Sequence, residues 1–226
     1  MSLSVAVVGA GIVGLSTAIN VQTLISGVKV TIIADSFGRD TTTPVSPGLF
    51  LPIPSNLNMD QVLASEWLID GWEHHYQMAK SPEGEISGQT FLSGHCLWSK
   101  PMEHGDYIIP KLVQDYKPLS DKEIQTMSHH KFGARFTTVA VDMGKYLPWR
   151  MKEFRSRGGN LISDIVYSLQ ELYGKYDIVV NCTGVRAREV VNDPGLMQVK
   201  AHALQVSKQW KKEFLIMDND IFILPQ

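Results

Sequence analysis

Cysteine is nearly missing from this 226-residue chain, which has only Cys96 and Cys182. The two stand far apart with no C-x-x-C spacing, so neither a disulfide framework nor a thiolate metal site is indicated, and a reducing compartment fits best. An excess of charge is missing too. The formal net charge is −2, no long run of one sign occurs, and nothing suggests a nucleic-acid-binding surface or a basic membrane-binding face. No segment approaches the length of a membrane span, and the apolar start lacks the positive flank of a signal peptide. There is no Gly-x-Ser-x-Gly elbow, which removes the easiest hydrolase reading. The histidines lack metal-site spacing: His74 and His75 are neighbours that point about 100° apart on a helix, and His129 and His130 have no i, i+4 ligand. No metal site is expected. One sequon, Asn181-Cys182-Thr183, falls at the end of an apolar strand and is expected to be unglycosylated.

What is present begins at residues 5–14, Val-Ala-Val-Val-Gly-Ala-Gly-Ile-Val-Gly, which read as a buried parallel strand running into a glycine-rich turn and then a helix. Each glycine in Gly9-x-Gly11-x-x-Gly14 has its own task. The first permits the tight turn, the second lets backbone approach a pyrophosphate, and the third lets helix and strand pack closely. A pyrophosphate would sit on the helix N-terminus, where unpaired N–H groups and the macrodipole favour negative charge. Leu15, Ala18, Ile19 and Ile25 mark one helical face, and Gly27 supplies a stop. Residues 28–35 form a second strand ending in Asp35, about twenty residues past the last glycine, where an acid accepts hydrogen bonds from an adenosine ribose. A dinucleotide is the expected ligand.

The hydroxyl-rich run 40–49 is expected to be an ordered loop whose threonines offer donors to phosphate oxygens or, equally, form a plain solvated turn. From 60 to 79, Leu63, Trp67, Leu68, Trp72, Tyr76 and Ala79 recur at helical spacing, predicting an amphipathic helix with an aromatic core face. Residues 81–142 alternate short apolar runs with glycine and proline turns, which predicts an antiparallel sheet inserted between pieces of the nucleotide domain. Leu147, Met151 and Phe154 define a further helix ended by Gly158-Gly159, and Leu161-Ile162 with Ile165-Val166 are expected as strand. Residues 176–184, Tyr-Asp-Ile-Val-Val-Asn-Cys-Thr-Gly, read as another buried parallel strand returning beside the first glycine turn. The fold class expected is α/β, a Rossmann-like parallel sheet with an inserted, mainly antiparallel α+β domain.

Several of these separated motifs together resemble the D-amino-acid oxidase family of flavoproteins, and within it the D-aspartate oxidases. The resemblance rests on Val-Ala-Val-Val-Gly-Ala-Gly-Ile-Val-Gly-Leu-Ser-Thr-Ala at the start, on Val-Thr-Ile-Ile-Ala-Asp-Ser-Phe around Asp35, and on the Asp-Thr-Thr-Thr loop with its following Gly-Leu. It continues through Phe-Thr-Thr, Lys-Tyr-Leu-Pro-Trp at 145–149, and Asp-Ile-Val-Val-Asn-Cys-Thr-Gly. The first motif is shared by many flavin and nicotinamide proteins; the last, and the threonine loop in its place, are far more specific.

The resemblance implies FAD as cofactor and oxidation of a D-amino acid, D-aspartate or a relative, to a 2-oxo acid with ammonia and hydrogen peroxide. By position, Gly9, Ala10, Gly11, Ile12, Val13 and Gly14 would hold the pyrophosphate, Asp35 with Ser36 the ribose, and Thr42 and Thr43 phosphate. Pro47, Gly48 and Leu49 would line the flavin, while Val166, Thr183 and Gly184 would approach the adenine side and the pyrophosphate. The implied domains are FAD-binding over 1–50 and 143–197, and substrate-binding over 51–142, with 198–226 starting the returning substrate-domain sheet. No catalytic residue is assigned.

The departures fall where the family grips substrate. Leu51 and Ile53 stand where relatives place Gln or His, residues 199–202 replace an Arg-Gly-Gln run, and Phe222 replaces a tyrosine. The family pattern also runs on past Gln226, to an arginine that pairs with the substrate carboxylate and often to a peroxisomal tripeptide. Arg186 and Arg188 are candidates for a substitute anchor. Three readings follow: an oxidase acting on a small D-amino acid and oxygen, with a homodimer as one assembly; an inactive or shortened member that binds FAD or a partner only; and a nicotinamide dehydrogenase, in which the threonine loop and the Asn-Cys-Thr-Gly strand have no role. Location is peroxisomal by resemblance, or cytoplasmic because this chain lacks the tripeptide.

Overall fold

Short β-branched runs separated by glycine turns, alternating with longer amphipathic stretches, build two sheets in the computed structural model, which describes residues 2–53, 59–102, 108–198, 202–204 and 212–225. In chain order the strands are β1 (Ser4–Val8), β2 (Lys29–Ala34), β3 (Gln89–Trp98), β4 (Gln114–Pro118), β5 (Phe132–Val141), β6 (Asn160–Ser163), β7 (Ile178–Asn181), β8 (Phe214–Met217) and β9 (Ile221–Ile223). The helices are α1 (Ile12–Leu24), α2 (Gln61–Lys80), α3 (Pro82–Ser87), α4 (Ile109–Leu112), α5 (Asp121–Met127), α6 (Met143–Ser156) and α7 (Ala187–Val190). The chain divides into two compact units, Met1–Ser46 with Met143–Leu204, and Pro47–Asp142 with Gln205–Gln226. Among the described residues, no helix is long and apolar enough to cross a membrane.

The first unit is built on a four-stranded sheet in the order β6-β2-β1-β7, parallel at every pairing, with Val5 opposite both Val30 and Ile178. Both faces of its centre are covered, as strands with no polar alternation require. Val5, Val7 and Ile32 pack on Leu15 and Ala18 of α1 and on Leu147 and Phe154 of α6. Ala6, Val8 and Ile33 pack on Val166 and Leu172. The expected α1 face is buried at Leu15, Ala18 and Ile19, but the helix ends at Leu24, and Ile25 lies beyond it, 38% exposed. Ile165 and Val166 are not strand. After β6 the Asp164 N–H donates to the Ala34 carbonyl and the Ile165 N–H to the Asp164 carboxylate, so the chain leaves the ladder there. β7 pairs with β1 as expected, yet it is an edge strand and not a buried one: Ile178 is 45% exposed.

The second unit carries a five-stranded sheet in the order β4-β5-β3-β8-β9. Its pairings are antiparallel except β3 with β8, so the mainly antiparallel sheet expected from the sequence is present beside the parallel one. β3 and β5 pair along their whole length, from Gln89 opposite Val141 to Trp98 opposite Phe132. Phe136 and Phe214 are fully buried with ring centroids 5.4 Å apart, and Gly94 makes room for Phe214, because a Cβ at that position would run into its ring. Asp60 caps α2 by accepting from the Val62 and Leu63 N–H groups, each at 3.0 Å. The aromatic core face expected on α2 is narrower than its periodicity implies. Ala64 and Trp72 are buried, whereas Trp67 is 60% exposed and Leu63 39%. His75 packs on this unit through a 2.7 Å hydrogen bond between Nδ1 and Gln89 Oε1.

The first unit stops at Ser46 rather than at 50 because the next residues hydrogen-bond to β5. The Val141 N–H donates to the Gly48 carbonyl at 2.6 Å, the Phe50 N–H to the Val139 carbonyl at 2.9 Å, and the Thr138 hydroxyl to the Phe50 carbonyl at 2.6 Å.

Candidate functional site

The carboxyl end of β1 is where the first unit concentrates backbone polarity without side chains to satisfy it. Gly9 has φ +112°, a conformation only glycine adopts easily, and a Cβ on it would run into the Cys182 carbonyl. The turn is held from both flanks: the Gly9 N–H donates to the Ile33 carbonyl at 2.8 Å, and the Cys182 N–H to the Val8 carbonyl at 2.9 Å. Gly14 lies directly under this turn, since a Cβ there would strike the Gly9 carbonyl oxygen. The first and third glycines therefore have the steric duties assigned from their spacing. Gly11 has a further one. Its missing Cβ faces Thr43 Oγ1 at 3.3 Å.

Gly11 is the N-cap of α1 and has no side chain to cap it, and the first turn carries no acidic residue. Thr43 supplies one oxygen from outside: Oγ1 accepts from the Ile12 N–H at 3.2 Å. Because that bond uses an oxygen lone pair, the Thr43 hydroxyl proton is left for an anionic oxygen. A 13-residue helix ending in free N–H groups, with a hydroxyl beside it and no carboxylate in its first turn, is a donor set for phosphate. Ala10 is buried, Val13 is exposed at 64%, and Thr42 lies on the surface as the residue preceding the 3₁₀ turn Thr43–Val45. That turn and a second at Gly38–Asp40 give the threonine-rich segment regular structure where a loop was expected. Thr41 closes on the Gly38 carbonyl at 2.8 Å.

Asp35 follows β2 with Ser36 half-buried beside it. Its carboxylate is engaged: Arg186 Nη1 donates to Asp35 Oδ2 at 2.8 Å. Arg186, considered from the sequence as a carboxylate anchor for substrate, is thus committed to an acid of this chain, while Arg188 is exposed. The sequence offered no signal for that pairing, whose partners are 151 residues apart. Thr183, in the turn after β7, gives both its N–H and its hydroxyl to Asn181 Oδ1, at 3.2 and 2.7 Å. Gly184 has φ +58°. Val166 is 5% exposed with its side chain in the core. Burial pushes the Cys182 thiol up, which keeps it in its protonated, unreactive form.

The remaining expected site residues belong to the second unit. Gly48 is buried with φ +61°, and Leu49 bridges to Ala140 on β5, with Pro47 before them. Leu51 is half-buried and Ile53 is buried at 4%, which turns it into a packing residue rather than a substrate-facing one. Phe222 lies on β9, 41% exposed. Of the 199–202 segment only His202 is described, so the replacement of the Arg-Gly-Gln run lies otherwise outside the described residues.

The residues that fit a flavin dinucleotide on chemical grounds are those of the first unit: an open helix N-terminus, a backbone turn stripped of side chains, and an acid at the tip of the neighbouring strand. Comparison with known proteins supports FAD as the cofactor. Among curated proteins, the chain is 33% identical over 214 residues to human D-aspartate oxidase, covering 93% of this chain and 62% of that protein. It is 27% identical over 232 residues to a D-amino acid oxidase of Dugesia ryukyuensis, covering 99% of this chain and 67% of that protein. The chain thus spans 62 to 67% of the length of these relatives. Among solved structures, glycine oxidase from Geobacillus kaustophilus superposes with a TM-score of 0.69 over 100% of this chain and 69% of its own, at 14% identity. L-alpha-glycerophosphate oxidase from Mycoplasma pneumoniae with FAD bound gives 0.64 over 100% and 69%, at 12%. Identities that low speak for the fold alone. Residues 4–226 match the family described as DAO, FAD dependent oxidoreductase, and the chain belongs to that family.

Proposed function

We propose that the first unit binds FAD at the carboxyl end of β1 and that the protein is an amino-acid oxidase acting on D-aspartate or a related D-amino acid. The observation that carries the cofactor reading is the uncapped N-terminus of α1, flanked by Thr43 on one side and the glycine turn on the other. The amino-acid reading is supported by the named relatives, human D-aspartate oxidase among them. FAD, when bound, would supply a two-electron acceptor for a hydride from the amino-acid α-carbon and a route for those electrons to oxygen, the overall products being hydrogen peroxide and an imino acid that water converts to 2-oxo acid and ammonia.

The chain's own residues bind and orient. The N–H groups of the first turn of α1 and the Thr43 hydroxyl hold the diphosphate, and the turn 9–11 lets its oxygens come against backbone. Asp35 accepts from the ribose hydroxyls. Gly48 and Leu49 are held on β5 of the second unit, and with Pro47 they are the positions that the resemblance assigns to the flavin. No side chain has to move a proton in this scheme. Peroxisomal location and a homodimer belong to the same reading.

A second reading, FAD binding without turnover, is favoured by the chemistry of the positions that the resemblance assigns to substrate: Leu51 and Phe222 have no polar side-chain atom for a carboxylate or an amine, and Ile53 is buried as well as apolar. One experiment separates the two. The purified protein is incubated with FAD, desalted, and its visible spectrum followed during anaerobic addition of D-aspartate. A retained flavin band that bleaches is the result expected of the oxidase. A band that persists through D-aspartate and other D-amino acids overturns the oxidase reading in favour of binding alone, and no band overturns both.

A further inference from the structure

β2 and β7 flank β1 in the parallel sheet, so their carboxyl ends stand on the two sides of the glycine turn. Asp35 follows one and Arg186 the other, and their side chains meet with Arg186 Nη1 donating to Asp35 Oδ2 at 2.8 Å. The arginine is itself supported from β7. Its N–H donates to the Thr183 carbonyl at 3.2 Å, and Thr183 is held in turn by the Asn181 side chain. Contacts therefore run from Asn181 through Thr183 and Arg186 to the carboxylate at the tip of β2.

An ion pair in this position contributes little to the fold, because its side chains are 34% and 41% exposed and solvent screens them. What it does is order an acid. A carboxylate on a strand end turns about two torsions, and fixing it on a ligand costs affinity; a guanidinium on one oxygen removes that freedom beforehand and leaves Oδ1 to accept from a ligand hydroxyl. It also offsets a negative charge beside a site built for phosphate.

The geometry points to Arg186 as a positioning residue of the adenosine subsite: it holds Asp35 in the conformation that accepts a ribose hydroxyl. This inference rests on the FAD reading above and deepens it. It also gives Arg186 a task other than anchoring a substrate carboxylate.

The test measures FAD dissociation constants by flavin fluorescence for the unsubstituted protein, Arg186→Ala, Arg186→Lys, Asp35→Asn and the Asp35→Asn/Arg186→Ala double variant. The same series is repeated with an FAD analogue lacking both ribose hydroxyls of the adenosine. Arg186→Ala is expected to weaken FAD about 3- to 10-fold, with Arg186→Lys in between. The loss is expected to vanish in the Asp35→Asn background and with the dideoxy analogue, while the melting temperature of the FAD-free protein stays nearly unchanged. Those two cancellations are what a merely structural role would not produce. Unchanged or tighter FAD binding by Arg186→Ala overturns the inference, as does a loss that persists without the Asp35 charge or without the ribose hydroxyls. Should Arg186→Ala fold poorly, Arg186→Lys with the two flavins decides: equal affinities for FAD in Arg186→Lys and the unsubstituted protein overturn it. Failure of the unsubstituted protein to bind FAD at all overturns the cofactor reading itself, and this inference with it.

Discussion

Gly14 beside the parallel sheet and Gly94 within the mainly antiparallel one are both positions where a Cβ has nowhere to go, and the reasons differ. Under Gly14 the obstacle is the Gly9 carbonyl oxygen, part of a turn whose backbone stays open above. At Gly94 it is Phe214, whose carbonyl oxygen and ring both stand in the way, the ring belonging to a fully buried side chain that fills the space the glycine leaves. In the first unit, absent side chains bring backbone to backbone and expose N–H groups for a ligand. In the second, an absent side chain makes room for a large apolar one. Close approach is common to both, and only what lies on the far side tells a binding feature from a packing feature.

Gly14→Ala tests the first half of that contrast and is the largest effect expected. Its methyl meets main chain that cannot rotate aside, so a destabilisation of about 3 kcal/mol or more is expected, with loss of FAD retention. Thermal unfolding and desalting with FAD measure both. Gly94→Ala is expected to cost about 1–3 kcal/mol, its methyl meeting the Phe214 carbonyl as well as the ring, and pairing it with Phe214→Leu should recover only the part due to the ring. If the double variant is no more stable than Gly94→Ala alone, the obstacle is not the ring and the contrast fails.

The two tryptophans of α2 sharpen the packing side. Trp72→Ala should cost about 3–5 kcal/mol and Trp67→Ala within about 0.5 kcal/mol, judged from urea unfolding, although both sit on the same periodic stripe of the sequence. The smallest effect concerns pH. Each unit has one exposed serine–aspartate clasp: Asp177 Oδ2 accepts from the Ser4 N–H and hydroxyl at 2.8 and 2.6 Å, and Asp218 accepts from the Ser99 N–H and hydroxyl at 2.7 and 2.8 Å. The Ser4 hydroxyl and N–H hold the Asp177 carboxyl below its ordinary value, and the Ser99 N–H and hydroxyl do the same for Asp218, with His130 adding to it. A carboxyl lowered in the folded state adds stability that is present above the ordinary carboxylate range and lost as pH falls through and below it. Melting temperature is therefore expected to fall on acidification through that range, and Asp177→Asn and Asp218→Asn should each flatten the slope. An unchanged slope in both variants removes the clasps from the acid response.

The contrast between the glycines also shows what a sequence can display. Gly9, Gly11 and Gly14 announce themselves because three close approaches fall within six residues after a strand. Gly94 sits alone, and its partner is 120 positions away on a strand that pairs with it in parallel. Helix and strand identity was legible wherever local periodicity decides it, in β1, α1, β2, α6 and β7. Exposure was not: β7 is an edge in the order in which the four described strands assemble, and Trp67 is 60% exposed although it belongs to the same periodic stripe as the buried Trp72. Ile165 and Val166 have strand composition, yet hydrogen bonds to Ala34 and Asp164 take the chain out of the sheet. An acid at the end of β2 could be read from the sequence; the arginine that pairs with it could not, because nothing local links Asp35 to Arg186.

The clasp between Ser4 and Asp177 spans 173 residues of chain, and β1, which carries the glycine turn, has β7 as one of its two neighbours. During synthesis at about 5–20 residues per second, β1 leaves the ribosome roughly 9–35 s before β7, its neighbour on that side. For that interval one side of an apolar, buried strand lacks its β7 partner. The carboxyl end of β1 is thus among the first segments made, and it waits for β7 through the synthesis of most of the intervening chain.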